Sequence, residues 1–426
     1  MGENVPVAPV LELLAGNRAA ISARPPRLNL PVVLRRAASY YIRGLRSERE
    51  GIMTTRRQIL ALAGAAPAWL ASTTSAEAAP NFRRMGGAPT AVSIRSSGGR
   101  GRGGFGGRGP GAAPGGRGTG PAPGGPPPFD IIEHCHNIGL GGVQMSRIPS
   151  TDPEAVKKLR ARIEEYGFHL IIDVPWPQPG GDLSNFEAQV KAVKEAGATA
   201  THAAMTGRRY EDFAAVEPWK AMFERCQKQM ETAEPILRKY KLPVGIENHK
   251  GWRAAEQAAW LKRAGSEYLG VCLDFGNNIS LCEDPMDTLN TLLPHILFAH
   301  IKDMAVEEYE DGFLLSEVPM GEGFLDIKQM VQILRKKDPN MIFDLEMITR
   351  DPLKIPVYTA RYWATFDDSY SPLPGRDLAK VLALVKKNKP AKPLPRIAGL
   401  APEAQVKAED DYNNQCIAWA KQNLDM

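Results

Sequence analysis

The chain has 426 residues, which is enough for two average domains or for one α/β barrel of about 250 residues with extensions. Hydrophobic residues make up 43% and charged residues 24%, a balance typical of a globular protein. The five cysteines are odd in number and show no CxxC spacing, which excludes a complete disulfide framework and indicates buried small hydrophobes.

The net charge of +5 is distributed unevenly along the chain. Residues 1–80 carry ten Arg against five Glu, and residues 81–128 carry seven Arg with no Lys, Asp or Glu. Subtracting these contributions of +5 and +7 from the total leaves −7 on residues 129–426. Basic charge is therefore confined to the first 128 residues, and the part with a globular composition is acidic.

Residues 53–79 have the three parts of a secretory signal. The pair Arg56-Arg57 precedes an apolar run from Ile59 to Leu70, which is followed by the small-residue site Ala76-Glu77-Ala78. The arginine pair resembles a twin-arginine signal, which exports folded proteins. A membrane anchor is the alternative, but about a dozen apolar residues fall short of the ~20 that span a bilayer.

We therefore expect an exported, periplasmic protein that is cleaved near Ala78 or Ala79 and has no stable membrane insertion. Because such a signal normally begins a protein, Met53 is the expected start. Residues 1–52 would then lie upstream of the true start, and we expect them to be disordered.

A low-complexity segment at 97–128 contains the sequence GRGRGGFGGRG and almost no large side chains. Its composition is typical of nucleic-acid-binding Arg-Gly segments, but it cannot pack a core and is expected to be disordered. An exported protein has little access to cellular RNA, so we expect no nucleic-acid partner. A flexible cationic flap or tether is the preferred interpretation.

From Phe129 onward, short apolar runs alternate with amphipathic helical patterns, which is typical of repeated βα units around a parallel sheet. Strands are predicted at 142–146, 170–174, 198–205, 244–248, 269–275, 297–302 and 341–347. Helices are predicted at 129–139, 152–166, 186–196, 219–240, 254–264, 326–336 and 378–387.

A closed eight-stranded barrel needs one more strand, and the β-branched segment from Pro89 to Ser96 is the upstream candidate. The expected fold is a (β/α)8 TIM barrel over residues 88–426. Segment 97–128 would be an insertion in its first βα loop, and the chain beyond Arg350 would be a C-terminal extension. The helical end of that extension is a possible subunit contact in a homo-oligomer.

Polar side chains end the last four predicted strands of the barrel: Glu247, Asp274, His300 and Glu346. Each is embedded in an apolar run, where an ionisable group is costly unless it is paired or bound to a metal. In a barrel the carboxyl ends of the strands meet at one mouth. Two Glu, one Asp and one His at this mouth predict a site for one divalent cation, Mn²⁺, Mg²⁺, Co²⁺ or Zn²⁺.

The ordered set IENH, LDFGN and HIKD resembles the xylose isomerase-like sugar phosphate isomerase/epimerase superfamily, and the resemblance spans about residues 88–350. It implies that Glu247, Asp274, His300 and Glu346 are metal ligands. It also implies that Glu247 and Glu346 form the acid/base pair of an epimerase. The chemistry is consistent with general principles, because a metal stabilises the enediolate formed when a proton leaves the carbon next to a carbonyl.

Four further residues are candidate substrate contacts, each with a structural alternative. Lys302 follows His300 by two residues and would bind a substrate oxygen or form a salt bridge at the rim. His249 would shuttle a proton or make a structural hydrogen bond. Asn277 would contact a hydroxyl or cap a turn, and Trp176 would form an apolar wall or pack under a loop.

The sequence also departs from parts of this superfamily. Abasic-site endonucleases need additional histidines for three zinc ions, but Asn277 occupies one such position and His300 is the last histidine of the chain. Ketose 3-epimerases commonly have His and Arg where this chain has Asn277 and Val306. The predicted function is a metal-dependent isomerase or epimerase of a carbohydrate or polyol. The alternatives are a lyase or dehydratase of keto-sugars, keto-glycosides or inosose, and a non-catalytic sugar-binding barrel.

Overall fold

The structure is a computed structural model, and it describes residues 84–97, 129–366 and 371–426. The predicted segments 1–52 and 53–79 lie outside the described residues, and so does the 97–128 segment except for Ser97. What the sequence predicts for these segments therefore stays a prediction. None of the helices among the described residues is both long enough and apolar enough to cross a membrane.

The described residues form two β-sheets. In chain order the strands are Gly86–Gly87 (β1), Gly142–Met145 (β2), His169–Ile172 (β3), Thr201–Ala203 (β4), Val244–Glu247 (β5), Leu269–Asp274 (β6), Ile296–Ile301 (β7), Asp303–Tyr309 (β8), Gly312–Val318 (β9), Ile342–Leu345 (β10) and Leu353–Ile355 (β11). The first sheet has eight strands in the order β3-β2-β1-β10-β7-β6-β5-β4, all parallel. The second has the order β11-β9-β8 and is antiparallel.

The eight parallel strands form a nearly closed barrel, which confirms the predicted TIM-barrel fold. The seam between β3 and β4 is joined by a single bridge between Ile171 and Ala200. The Thr201 hydroxyl strengthens this seam because it donates a 2.7 Å hydrogen bond to the Ile172 carbonyl. All seven strands predicted from Gly142 onward are present, with their ends shifted by no more than three residues.

The first strand of the barrel is not where the sequence predicted it. Residues Pro89–Val92 form a 3-10 turn and Ser93–Ser96 a helical turn, while β1 is the preceding pair Gly86–Gly87. Pro89 has no N–H group for a strand ladder, so the chain leaves the sheet there. Glycine is required in β1, because a Cβ at Gly86 would collide with the buried side chains of His169 and Asp344.

Helices cover the outside of the barrel. Their bounds are Ile131–Asn137, Pro153–Glu165, Ser184–Glu195, Arg209–Asp212, Val216–Tyr240, Ala254–Ala264, Pro285–Leu292, Ile327–Lys337, Ala360–Trp363, Gly375–Lys387 and Pro402–Asn423. Asp130, Asp152 and Asp284 each precede a helix and accept hydrogen bonds from its first N–H groups, which fixes where those helices begin. All seven helices predicted from the sequence are present, and Arg209–Asp212, Pro285–Leu292 and Ala360–Trp363 are additional.

The antiparallel sheet of β8, β9 and β11 was not predicted. The β8–β9 hairpin follows barrel strand β7 after one residue, and its buried side chains join a second apolar cluster that includes Phe313, Leu315 and Ile355. Helix Gly375–Lys387 packs on the same cluster through Val381 and Val385. The hairpin therefore extends the barrel wall over the end of β7.

The C-terminal helix, Pro402–Asn423, is much longer than the short helical end predicted from the sequence. Cys416, Ile417 and Ala420 are buried in the main apolar core, so this helix packs on the barrel of its own chain. This helix also hydrogen-bonds to the segment that follows β1, and that segment reaches the candidate site.

Candidate active site

The four predicted metal ligands converge at the carboxyl ends of neighbouring barrel strands. Glu247, Asp274 and His300 lie at or near the ends of β5, β6 and β7, and Glu346 directly follows β10. One possible ligand atom from each side chain lies within 4.8 Å of the corresponding atoms of the others. The four residues are only 1–4% exposed, so the cluster is closed to bulk water. We refer to these four residues as the ligand cluster.

Two atoms of the ligand cluster have no hydrogen-bond partner among the described residues: Asp274 Oδ1 and His300 Nδ1. His300 Nε2 lies 2.7 Å from Gln144 Oε1, and because an amide oxygen only accepts, His300 donates from Nε2. In the neutral ring Nδ1 then keeps a lone pair, and this atom lies 3.5 Å from Glu346 Oε2. Unpartnered acceptors facing one another at this burial fit a divalent cation, because a cation is the partner that all of them lack.

Lys302 lies inside this cluster and not at the rim. Its Nζ is 2.8 Å from Asp274 Oδ2, 3.0 Å from Glu346 Oε2 and 3.8 Å from Glu317 Oε1, and the side chain is fully buried. Burial opposes the charged form, but Asp274 and Glu346 outweigh it and raise the pKa of Lys302 above its usual value. Lys302 is therefore an internal cation that compensates part of the carboxylate charge.

The carboxylates of the cluster differ in how readily they ionise. Burial, together with the charges of Glu346 and Glu247, raises the pKa of Asp274 well above its usual range, although Lys302 opposes this. For Glu346, burial is outweighed by Lys302 and His300, which hold its pKa well below its usual range. Without a bound cation, Asp274 is thus the carboxylate that most readily takes up a proton.

Asn277 connects two residues of the ligand cluster through its side-chain amide. Its Nδ2 donates to Glu247 Oε1 at 2.9 Å and to Asp274 Oδ2 at 2.6 Å. Gly276, with φ of 85°, is left-handed and begins the tight turn that points Asn277 back toward Asp274. Asn277 is fully buried, so in this structure it orients the ligand cluster and does not face an open cavity.

Lys250 was not found by sequence reasoning. It is buried, and its Nζ donates a 2.5 Å hydrogen bond to Asn277 Oδ1, the same oxygen that lies 3.4 Å from Lys302 Nζ. Burial, Lys302 and Arg350 lower the pKa of Lys250 to about 8. Two lysines therefore share one amide oxygen beside the ligand cluster.

Glu247 is also held from its other side by His202. His202 Nε2 lies 3.1 Å from Glu247 Oε2, and its Nδ1 lies 3.3 Å from Asp173 Oδ1. Burial disfavours the charged ring, but Asp173 and Glu247 outweigh it and raise the pKa of His202 well above its usual value. Gln144 links the same Asp173 to His300, because its Nε2 donates to Asp173 Oδ1 at 3.0 Å.

His249 makes a structural contact. Its Nδ1 lies 2.6 Å from the Thr206 carbonyl in the loop after β4, so Nδ1 carries the proton. Burial lowers the pKa of His249 to about 4, against the opposing charge of Glu247. The ring is therefore neutral at pH 7 and ties two neighbouring βα loops together.

A cavity of about 690 Å³ opens beside the ligand cluster at the ends of β2, β3 and β4. Its lining includes Arg147, Thr151, Asp173, Trp176, Gln189 and His202. Trp176 packs against Phe186 with ring centroids 5.8 Å apart, so its ring is held as part of the cavity wall. His202 belongs both to this wall and to the contacts of Glu247, which joins the cavity to the ligand cluster.

The β8–β9 hairpin contributes a further buried carboxylate to the mouth. Glu317 on β9 pairs with Arg350, whose Nη2 donates to Glu317 Oε1 at 2.5 Å. Burial is outweighed by Arg350 and Lys302, which lower the pKa of Glu317 to about 2. The hairpin thus balances the charges of Lys302 and Lys250 from outside the barrel.

Sequence reasoning therefore found the ligand cluster but missed several side chains around it. Gln144 and Asp173 lie at the ends of β2 and β3, and the strand-end criterion that identified the ligand cluster would have found them as well. No comparable signal marks Lys250 or Glu317, because their positions depend on a loop and on a hairpin that periodicity does not reveal.

The fold and the site together define a class of protein. It is an eight-stranded βα barrel with a buried set of side chains at its mouth that could hold a metal ion. The family model described as xylose isomerase-like TIM barrel matches residues 132–365, more than half of the chain. The chain therefore belongs to this family, as its motifs indicated.

Individual relatives are more distant. A 3-oxo-isoapionate decarboxylase of Pectobacterium atrosepticum is 28% identical over 109 residues, which is 25% of this chain and only 40% of that protein. A xylose isomerase domain protein from Planctomyces limnophilus is 13% identical, covers 60% of this chain and 90% of its own, and has a TM-score of 0.41. A D-psicose 3-epimerase is 14% identical, covers 69% and 92%, and has a TM-score of 0.42.

Proposed function

We propose that the protein is a divalent-metal-dependent isomerase or epimerase that moves a proton next to a carbonyl of a carbohydrate or polyol. The observation that carries the proposal is the ligand cluster, in which the buried Asp274 Oδ1 and His300 Nδ1 have no hydrogen-bond partner among the described residues. A binding cavity adjoins the cluster through His202. Two neighbouring acceptors without a hydrogen bond, in one buried group of metal-type side chains, fit a cation.

Glu247, Asp274, His300 and Glu346 would hold the cation, Mn²⁺, Mg²⁺, Co²⁺ or Zn²⁺. When bound, a divalent cation supplies positive charge that stabilises the negative charge developing on a substrate oxygen as the neighbouring carbon loses its proton. Membership of a xylose isomerase-like family is consistent with this chemistry.

The acid and base are assigned to the two glutamates. Glu247 and Glu346 stand at the two ends of the four-strand arc β5, β6, β7 and β10, so a substrate carbon between them meets one carboxylate on each side. One removes the proton and the other returns it. His202 and Asn277 hold the two oxygens of Glu247, which fixes the direction from which that carboxylate approaches.

Charge compensation is the role we assign to Lys302. Its ammonium group lies between Asp274 and Glu346, and negative charge that develops on the substrate would be stabilised by the same group. Trp176 provides an apolar face on which a sugar ring would lie, while the polar cavity lining offers partners for hydroxyl groups.

A metal-dependent lyase is the second candidate. β-Elimination from a keto-sugar, a keto-glycoside or inosose begins with the same proton abstraction, so the same glutamates would serve. The relative from Pectobacterium atrosepticum is named as a decarboxylase, which is also a lyase reaction, although it matches only a quarter of this chain. The products formed, not the ligand set, distinguish the two candidates.

The test begins with metal analysis of the purified chain after loading with Mn²⁺. One ion per chain is expected, with binding lost in Asp274→Asn, and absence of a stoichiometric ion would refute the proposal. The loaded protein is then incubated in deuterated water with a panel of keto-sugars and 3-keto-glycosides. Deuterium incorporation with an isomeric product supports the isomerase, and elimination supports the lyase.

Glu346→Gln should abolish the exchange, because the amide cannot accept the proton. Glu322→Gln is the matched control, since Glu322 pairs with Lys392 in a loop outside the ligand cluster. Normal exchange in Glu346→Gln would refute the acid/base role. Metal binding without exchange on any substrate would favour the non-catalytic sugar-binding barrel.

We further propose that the protein is exported to the periplasm, on the strength of the twin-arginine-type segment at 53–79 alone. Export of a folded chain suits a protein that binds its metal before it crosses the membrane.

A further inference from the structure

The segment that follows β1 reaches the ligand cluster through Thr90. Its Oγ1 donates a 2.8 Å hydrogen bond to Glu346 Oε1. The other oxygen of that carboxylate, Oε2, faces Lys302 at 3.0 Å and His300 at 3.5 Å. The two oxygens of Glu346 therefore have different partners. Oε2 faces the ligand cluster and Lys302, and Oε1 accepts from Thr90.

Thr90 is held in place by the C-terminal helix. Asn413 Nδ2 donates a 2.7 Å hydrogen bond to the carbonyl of Ala91, the residue next to Thr90. Glu409 accepts from the backbone N–H groups of Ile94 at 2.8 Å and Arg95 at 2.9 Å. Both Glu409 and Asn413 are buried.

The opposite end of the segment is anchored to the barrel. The Ala88 N–H donates a 3.0 Å hydrogen bond to the Leu345 carbonyl, one residue before Glu346. Asp410 forms an ion pair with Arg95 on the side of the C-terminal helix. Residues 88–97 are therefore fixed between β10 and the C-terminal helix, and Thr90 is the side chain that this arrangement points at Glu346.

We propose that Thr90 is a positioning residue for Glu346 and that the C-terminal helix acts through it, so that the extension beyond the barrel supports the candidate metal centre. The inference rests on the proposed function, in which Glu346 binds the metal. The hydrogen bond from Thr90 to Oε1 fixes the Glu346 carboxylate so that Oε2 faces the ligand cluster. Residues 88–97 and 402–423 lie outside the matched family region, 132–365.

The test measures Mn²⁺ affinity of the full chain by isothermal titration calorimetry. Thr90→Val keeps the shape and removes the hydroxyl, and we expect about a tenfold loss of affinity, the range found when a hydrogen bond to a ligand is removed. Thr90→Ser restores the donor and should stay within about threefold of the native chain. Ser96→Ala is the control, because its exposed hydroxyl donates to the Ser93 carbonyl within the same helical turn.

The outcomes separate the two proposals. If the native chain binds no stoichiometric Mn²⁺, the proposed function fails and this inference falls with it. If the native chain binds Mn²⁺ and Thr90→Val binds it equally well, only the inference fails. Equal losses in Thr90→Val and Thr90→Ser would also overturn it, because a role of the hydroxyl predicts rescue by serine.

The contribution of the helix is tested by a double-mutant cycle with Glu409→Gln. In the proposal both changes act through the hydrogen bond from Thr90 to Glu346. We therefore expect Glu409→Gln to weaken Mn²⁺ binding in the native chain and to cause little further loss of affinity in Thr90→Val. Fully additive effects would refute action through Thr90. Asn413→Ser replaces Glu409→Gln if that variant does not fold, and Lys407→Ala, on the exposed side of the helix, is the control.

Discussion

The ammonium group of Lys302 lies 2.8 Å from Oδ2 of Asp274, and both side chains are buried. The pair lies inside the ligand cluster, so Lys302 supplies positive charge at the place where a divalent cation would also supply it. A buried lysine and a metal ion therefore contribute to the same charge balance.

Replacing Lys302 with Met should destabilise the metal-free protein by about 3–5 kcal/mol, because it leaves buried carboxylates without their cation. Millimolar Mn²⁺ should recover most of this loss, so the gain in melting temperature on adding metal should be larger in Lys302→Met than in the native chain. Thermal unfolding with EDTA and with Mn²⁺ measures both effects.

Lys380→Met is the control for that experiment. Lys380 pairs with Asp287 at an exposed position, and its loss should change the free energy of unfolding by no more than about 0.5 kcal/mol with or without metal. A metal-free Lys302→Met protein as stable as the native chain would contradict the charge-compensating role.

Trp176→Ala should weaken substrate binding, because it removes part of the apolar cavity wall. For the substrate identified by the exchange panel, we expect KM to rise about tenfold with little change in kcat, the pattern of a contact made equally in the ground and transition states. Trp176→Phe retains an aromatic face and should stay within about threefold. A fall in kcat at constant KM would show that Trp176 acts in another way.

Glu409 should make stability depend on pH. Burial raises the pKa of Glu409 to about 7 from an ordinary value of 4.5, although the N–H groups of Arg95 and Ile94 oppose this. Because the folded pKa lies above the unfolded one, the folded chain holds the extra proton between these values, and stability falls as pH rises through this window.

Glu409→Gln removes this titration. The free energy of unfolding of the native chain relative to the variant should therefore decrease by about 3 kcal/mol between pH 4.5 and pH 7.5. Denaturant unfolding at several pH values measures the difference, and a difference that stays constant with pH would show that Glu409 does not titrate in this range.

Export should depend on the arginine pair of the predicted signal. Replacing Arg56 and Arg57 with Lys keeps the charge and should keep the protein in the cytoplasm, because the twin-arginine signal is recognised by its arginines. Cell fractionation checks this. N-terminal sequencing of the exported form should find a start just after Ala78 or Ala79, and a start well before Ala76 would refute the predicted cleavage.

The sequence by itself determined the barrel and its ligand cluster. Strands such as Leu269–Asp274 and Ile296–Ile301 are continuous apolar runs because they are buried on both faces, and a charged residue at the end of such a run stands out. Parallel strands all present their carboxyl ends at one mouth, so the sequence alone predicts that Asp274 and His300 lie close together.

Only the tertiary structure decided what surrounds the ligand cluster. Strand one escaped detection because Gly86 and Gly87 have low strand propensity and are required only by the side chains packed against them. Lys302 proved to be buried between Asp274 and Glu346, and Glu317, on a hairpin without a strong sequence signal, lies 3.8 Å from its Nζ. The contact of Thr90 with Glu346 spans 256 positions of sequence, and no local pattern encodes a hydrogen bond at that separation.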